Sequence, residues 1–146
     1  MVEVGGEIRV SGRRQPSGDM MRVGIQSPSK HDSLPTVIQK IVEISSGAIT
    51  TSGNYHKFYE SKGEKVSHLM NPKTGLPVVN DLISVTIYAK DAITADGYDN
   101  TLMAMGLKES LLFLKKNKEL EAYFIYKDKK GTVKDTATTG FYVLVR

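Results

Sequence analysis

The chain contains no cysteine. Disulfides, thiolate catalysis and Cys-ligated zinc are therefore excluded. No apolar run approaches the length of a membrane span. The opening residues alternate like a strand and lack a basic start and an apolar core, so they do not read as a signal peptide. Internal repeats, low-complexity tracts and interdomain linkers are missing as well. The net charge is a modest +4 over 146 residues, and the basic side chains are scattered. Lys115, Lys116 and Lys118 close a predicted helix, where cations suit the dipole. No basic stripe interleaved with aromatics is present, which argues against nucleic-acid binding.

What is present suffices for one domain, 1–146, with a real core. Hydrophobic residues make up 40% and charged residues 25% of the chain, as in ordinary globular proteins. Residues 2–11 read as a strand, with Gly5-Gly6 marking a bulge or a close backbone approach. A second strand over 20–25 is a candidate hairpin partner for it. Val37, Ile38, Ile41, Val42 and Ile44 recur at helical spacing, which predicts a helix over 34–45, with Ser33 as its cap and Pro35 in its first turn. Residues 48–52 lean to strand, and 56–60 and 65–70 form a hairpin around a turn at 61–64. Asn71-Pro72-Lys73-Thr74-Gly75 is a strong turn, followed by a strand at 82–89. Helices are predicted over 94–106 and 107–117, the second turning Leu111, Leu112 and Leu114 inward. Closing strands are predicted at 121–127, 132–135 and 141–145, with a hairpin turn at 127–130. The class is α+β, a mainly antiparallel sheet with helices packed on one face.

The stretch 94–106 carries the chemistry. Thr94 is a plausible N-cap, Leu102, Met103 and Met105 supply apolar surface, and Gly106 is a plausible stop. Between them sit Asp96, Asp99 and Asn100. Residues four apart on a helix share a face, so Asp96 and Asn100 aim two hard oxygens at one point, a donor set that suits Mg²⁺. A helix N-terminus also favours phosphate. The alternative is that acidic residues in a first helical turn simply complement the macrodipole.

Three segments follow one another in order. They are Ile49-Thr50-Thr51-Ser52-Gly53-Asn54-Tyr55, then His68-Leu69-Met70-Asn71-Pro72-Lys73-Thr74-Gly75-Leu76-Pro77, then Ala95-Asp96 and the helix it opens, to Gly106. With Val4-Gly5-Gly6-Glu7-Ile8 near the start, they closely resemble the ApbE family, the FAD:protein FMN transferases formerly called thiamine biosynthesis lipoproteins. The resemblance covers nearly the whole chain but only the C-terminal half of such a protein. The N-terminal half, with its signal or lipoprotein sequence, is expected to be absent here. The implied fold is ApbE-like and T-fold-related.

The implied activity is Mg²⁺-dependent cleavage of FAD, with the FMN phosphoryl group passed to a threonine of a partner flavoprotein and AMP released. Partners of the family are redox subunits of the Nqr and Rnf type, on the periplasmic side of the inner membrane and reached through a lipid anchor. Some relatives hydrolyse FAD to FMN and AMP instead, and a fragment binding flavin without turnover is a third reading. Self-association through apolar surface left uncovered by the missing half is a further expectation.

By the same resemblance, Asp96 and Asn100 hold Mg²⁺. Asn100 stands where many members have a threonine, and an amide oxygen remains a competent ligand. Asp99 reads as a supporting or capping residue. His68 is the implied base toward the threonine hydroxyl, the other reading being a strand-end histidine bonded to a backbone carbonyl. Gly5, Gly6, Glu7, Ser52, Gly53, Asn54, Tyr55 and Asn71 are the implied cofactor-binding residues. His31 and His56 match no motif and read as surface residues.

Overall fold

The computed structural model describes residues 1–28, 37–54, 58–61 and 64–146. Strands β1 (Val2–Val4), β2 (Glu7–Ser11), β5 (Ser46–Gly53), β8 (Leu82–Ala89), β9 (Glu121–Lys127) and β10 (Val133–Ala137) form one sheet in that spatial order. Every neighbouring pair in it is antiparallel. Strands β3 (Met21–Gln26) and β4 (Ile38–Ile44) make a separate ribbon, and β6 (Phe58–Ser61) and β7 (Glu64–Ser67) make another. Three helices complete the chain: α1 (Ala92–Met105), α2 (Leu107–Lys116) and α3 (Thr139–Leu144). The architecture is α+β, as expected. No described helix is long and apolar enough to cross a membrane.

The sheet buries both faces. On one, Ala48, Val85, Ile87 and Phe124 pack against Ala95, Leu102 and Met103 of α1 and Leu114 of α2. On the other, Val10, Ile49, Tyr123 and Ile125 pack against Val23, Ile25, Val42 and Ile44 of the β3–β4 ribbon and Phe141 of α3. The expected one-sided helical layer thus consists of α1 and α2, and α3 joins the ribbon opposite. A register shift between Leu82 and Ser84 sits at the start of β8. Bulges of this kind bend a strand and raise its twist.

Several local expectations are corrected. Residues 38–44 are strand β4 and not part of a helix; the rest of the expected 34–45 helix, with Ser33 and Pro35, lies largely outside the described residues. Isoleucine and valine are stiff at χ1 and favour a pleated surface, and β3 offers β4 a ladder from Met21↔Ile44 to Gln26↔Ile38. The buried pair Val42 and Ile44 then follows the period of two. Residues 2–11 do not pair with 20–25. β2 pairs with β5 through Ile8↔Ile49, and β3 pairs with β4. Gly5-Gly6 is no bulge but the two-residue turn of the β1–β2 hairpin, closed by the pair Val4↔Glu7. Both glycines have positive φ, 64° and 101°, as the favoured hairpin turn requires. A Cβ built on either meets no other part of the chain within 4 Å, so the turn itself, and not packing against the protein core, accounts for them.

The N-cap of α1 is Asp91, whose carboxylate accepts the Thr94 amide at 2.9 Å, and not Thr94 itself. The strand expected at 141–145 is replaced by α3. The Glu121 carboxylate decides this, because it accepts the Phe141 amide at 3.1 Å and the Thr138 hydroxyl. Phe141 then stacks on Tyr123. In α2, Leu114 is buried but Leu112 is 46% exposed, so Leu112 does not face inward. Gly106 ends α1 with φ 79°, as expected.

Candidate functional site

The site grows from the register of β2 and β5 under α1. Side chains two apart on a strand share a face. Ala48 packs toward α1, so Thr50 and Ser52 point the same way. Ile8 pairs with Ile49, and the same register sets Glu7 beside Thr50 on that face. The Gly5-Gly6 turn makes Glu7 the first residue of the return strand. The sheet therefore presents a carboxylate and two hydroxyls to the helix above.

α1 answers with Asp96, Asp99 and Asn100. Glu7, Asp96 and Asp99 each bring a carboxylate oxygen to within 4.8 Å of the other two. Asp96 is exposed, Glu7 is half-buried and Asp99 is only 1% exposed, so the cluster has a floor, a wall and a solvent-facing rim. Because the helix begins at Ala92, its first turn holds no acidic residue. The macrodipole explanation, which needs charges in the first turn, does not account for Asp96 or Asp99.

Burial pushes the Asp99 carboxyl up to about 6, and the like charge of Asp96 adds to the rise. The Thr50 hydroxyl and the backbone N–H of Asn100 pull the other way. The Thr50 hydroxyl stands close to the carboxyl without completing a hydrogen bond of normal geometry. Among the described residues, neither Asp99 Oδ1 nor Thr50 Oγ1 has a hydrogen-bond partner. Buried polar atoms left this way are rare and costly.

Asn100 is arranged differently. Ser52 Oγ donates to Asn100 Oδ1 at 2.8 Å, which ties the helix to β5 and leaves the amide oxygen a second lone pair. The carboxylate that joins Asp96 is Asp99, which the sequence reading gave a supporting part. Thr50 was not singled out. Its signal was the two-residue spacing from Ser52, which places both on one face of a strand.

Of the remaining expected residues, Gly53 ends β5 and Asn54 follows it, both half-buried. The Ser67 hydroxyl donates to Asn54 Oδ1 at 2.9 Å and accepts the Leu69 amide at 3.1 Å. His68 lies between these two residues, half-buried, immediately after β7. Asn71 builds the following turn. Its side chain accepts the Lys73 amide at 2.9 Å, and its carbonyl accepts the Gly75 amide at 2.8 Å. A bridge between Met70 and Pro77 closes the loop. The Asn-Pro turn thus shapes the segment that carries His68, as expected. Gly5 and Gly6 are exposed in their turn. Tyr55, His31 and His56 lie outside the described residues.

Three carboxylates, one of them buried with an unpartnered oxygen, form a donor set that fits a hard divalent cation such as Mg²⁺.

Comparison with known proteins gives one consistent result. The ApbE family model matches residues 1–124. The FAD:protein FMN transferase of Klebsiella pneumoniae (strain 342) is 37% identical over 131 residues, covering 90% of this chain and 36% of the relative. That of Vibrio cholerae serotype O1 (Classical Ogawa 395) is 36% identical over 141 residues, covering 97% of this chain and 40% of the relative. Among solved structures, the flavin transferase ApbE from Vibrio cholerae aligns with a TM-score of 0.78 at 33% identity, over 97% of this chain and 43% of that one. The ApbE protein of Thermotoga maritima aligns with a TM-score of 0.77 at 25% identity, over 99% and 44%. The chain spans about two-fifths of the length of the curated relatives it matches.

Proposed function

The chain belongs to the ApbE family, and from that premise we propose that it forms the cation-binding wall of a site that transfers the FMN moiety of FAD to a threonine of a partner flavoprotein, with release of AMP. The observation that carries this reading is the convergence of Glu7, Asp96 and Asp99.

Transfer at phosphorus needs positioning and charge neutralisation more than covalent assistance from the protein. The threonine Oγ bonds to the FMN phosphorus as the P–O–P bond of FAD breaks, and AMP leaves with the electron pair. Glu7, Asp96 and Asp99 would hold Mg²⁺, which supplies the positive charge against which phosphate oxygens are neutralised. Ser52 fixes Asn100 and so locks this turn of α1 to β5. The Ser67–Asn54 bond holds the segment bearing His68 against the end of β5. The His68 imidazole there would accept the proton of the threonine hydroxyl as it attacks. Redox subunits of the Nqr and Rnf type are the acceptors this reading expects.

The test is to incubate the protein with FAD, Mg²⁺ and a threonine-containing acceptor peptide and to analyse peptide mass and nucleotide products. The expected result is FMN on the peptide and an equal amount of AMP, formed more slowly than by a full-length relative and both lost in Asp96→Ala. Free FMN and AMP without a modified peptide would make the protein an FAD pyrophosphatase. FAD binding with neither product would reduce the chain to a flavin-binding module.

A further inference from the structure

We propose that the arginine-lined cleft beside the β3–β4 ribbon binds a terminal phosphate group, at a site separate from the carboxylates beneath α1. The cleft has a volume of about 340 Å³. Arg13 and Arg14 reach it from the loop between β2 and β3, Arg22 from β3 and Arg146 from the segment after α3. Asp19 and Glu43 are the acidic side chains among them. The ribbon packs on the face of the sheet opposite α1 and α2. Glu7 begins β2, whereas Arg13 lies beyond the far end of that strand. The cleft is therefore a different surface from the one that carries Asp96.

The loop is held by its own backbone. The Gly12 amide donates to the Ser45 carbonyl, the Arg14 amide to the Asp19 carbonyl and the Gly18 amide to the Arg14 carbonyl, each at 2.8 Å. Arg13 Nη1 donates to the Gly18 carbonyl at 3.1 Å, which leaves its other N–H donors for a ligand. Arg22 and Glu43 are cross-strand partners, with Nε and Oε1 3.5 Å apart. The Arg146 amide donates to the Ile41 carbonyl at 3.0 Å, and its Nη1 reaches the same Glu43 oxygen at 2.8 Å. One carboxylate thus serves two guanidinium groups. Arg14 and Asp19 form no ion pair among the described residues. The side chains lining the cleft carry an excess of positive charge, and like charges held together repel one another. A phosphate monoester offers about −1.5 to −2 charges at pH 7 and three acceptor oxygens. Guanidinium forks match those oxygens in bidentate fashion.

Calorimetric titration of inorganic phosphate into the whole chain tests this, with EDTA present and ionic strength held constant by sodium chloride. Saturable binding is expected. It is expected to weaken by about tenfold or more in Arg13→Ala/Arg14→Ala, the scale of lost hydrogen bonds to a charged group. Lys115→Ala/Lys116→Ala removes two cations from α2, across the sheet, and is expected to bind within about twofold of wild type, as for a remote surface change. Phosphatidylcholine vesicles with and without phosphatidic acid present the same phosphate on a surface. Binding of free phosphate makes the ligand a small molecule. Binding to phosphatidic acid vesicles alone, lost in Arg13→Ala/Arg14→Ala, makes it a lipid headgroup. Binding to neither, or equal losses in the two double variants, would overturn the site.

Discussion

Asp99 and Asn100, adjacent on α1, meet different neighbours in the fold. From the sequence, Asn100 is the partner of Asp96 because four residues make one turn. In the fold, Ser52 engages the Asn100 amide, while Asp99 descends beside Thr50 toward Glu7. Neighbours on opposite strands decided this, and none of them lies close in sequence. Turn residues behave more locally. Asp128 accepts the amides of Lys130 and Thr132 at 2.9 and 3.0 Å and pairs with Lys134 at 2.9 Å. The Lys134 hydrogen bond, with those amides, holds its carboxyl below the usual 3.8. A carboxyl with a depressed folded value adds stability above its unfolded pKa and loses it as pH falls through the folded one. Between pH 5 and pH 3 the wild type is therefore expected to lose more melting temperature than Asp128→Asn, and parallel declines in thermal melts would refute this.

Among the elements, α1 and the β3–β4 ribbon mark the limits of pattern reading. The body of α1 is legible, since Leu102, Met103 and the Gly106 stop lie where the sequence places them. Its start is not, because Asp91 and Thr94 are both good capping residues and only the geometry chooses. Asp91→Ala is accordingly expected to lower the melting temperature, while Thr94→Ala leaves it unchanged. The reverse order would restore Thr94 as the cap. For residues 38–44, β-branched side chains fit both a helical stripe and a strand. Pairing with β3 resolved the ambiguity, and with it the face that covers the second side of the sheet.

At the scale of the whole molecule, both faces of the sheet's central strands are buried, and Phe141 of α3 belongs to the core. Phe141 is fully buried against Tyr123. Phe141→Ala is expected to cost about 3–5 kcal/mol, as truncation of a buried phenylalanine does, measured by denaturant unfolding. A loss below about 1 kcal/mol, less than burying one or two methylenes contributes, would mean that α3 is peripheral.

Residue pattern alone sufficed for the α+β class, the strands with clear alternation, the Asn-Pro turn, the bodies of α1 and α2, and the family. The elements follow from short-range causes, the helical period and turn chemistry, and the family from the order of motifs along the chain. Long-range packing was needed to make 38–44 a strand and 139–144 a helix, and to pair β2 with β5. It also brought Glu7 to Asp96 and Asp99, some ninety residues away, and set Ser52 on Asn100. Each of these turns on which surface a segment meets. That is a property of the sheet register and of the two buried faces, and no local pattern encodes it.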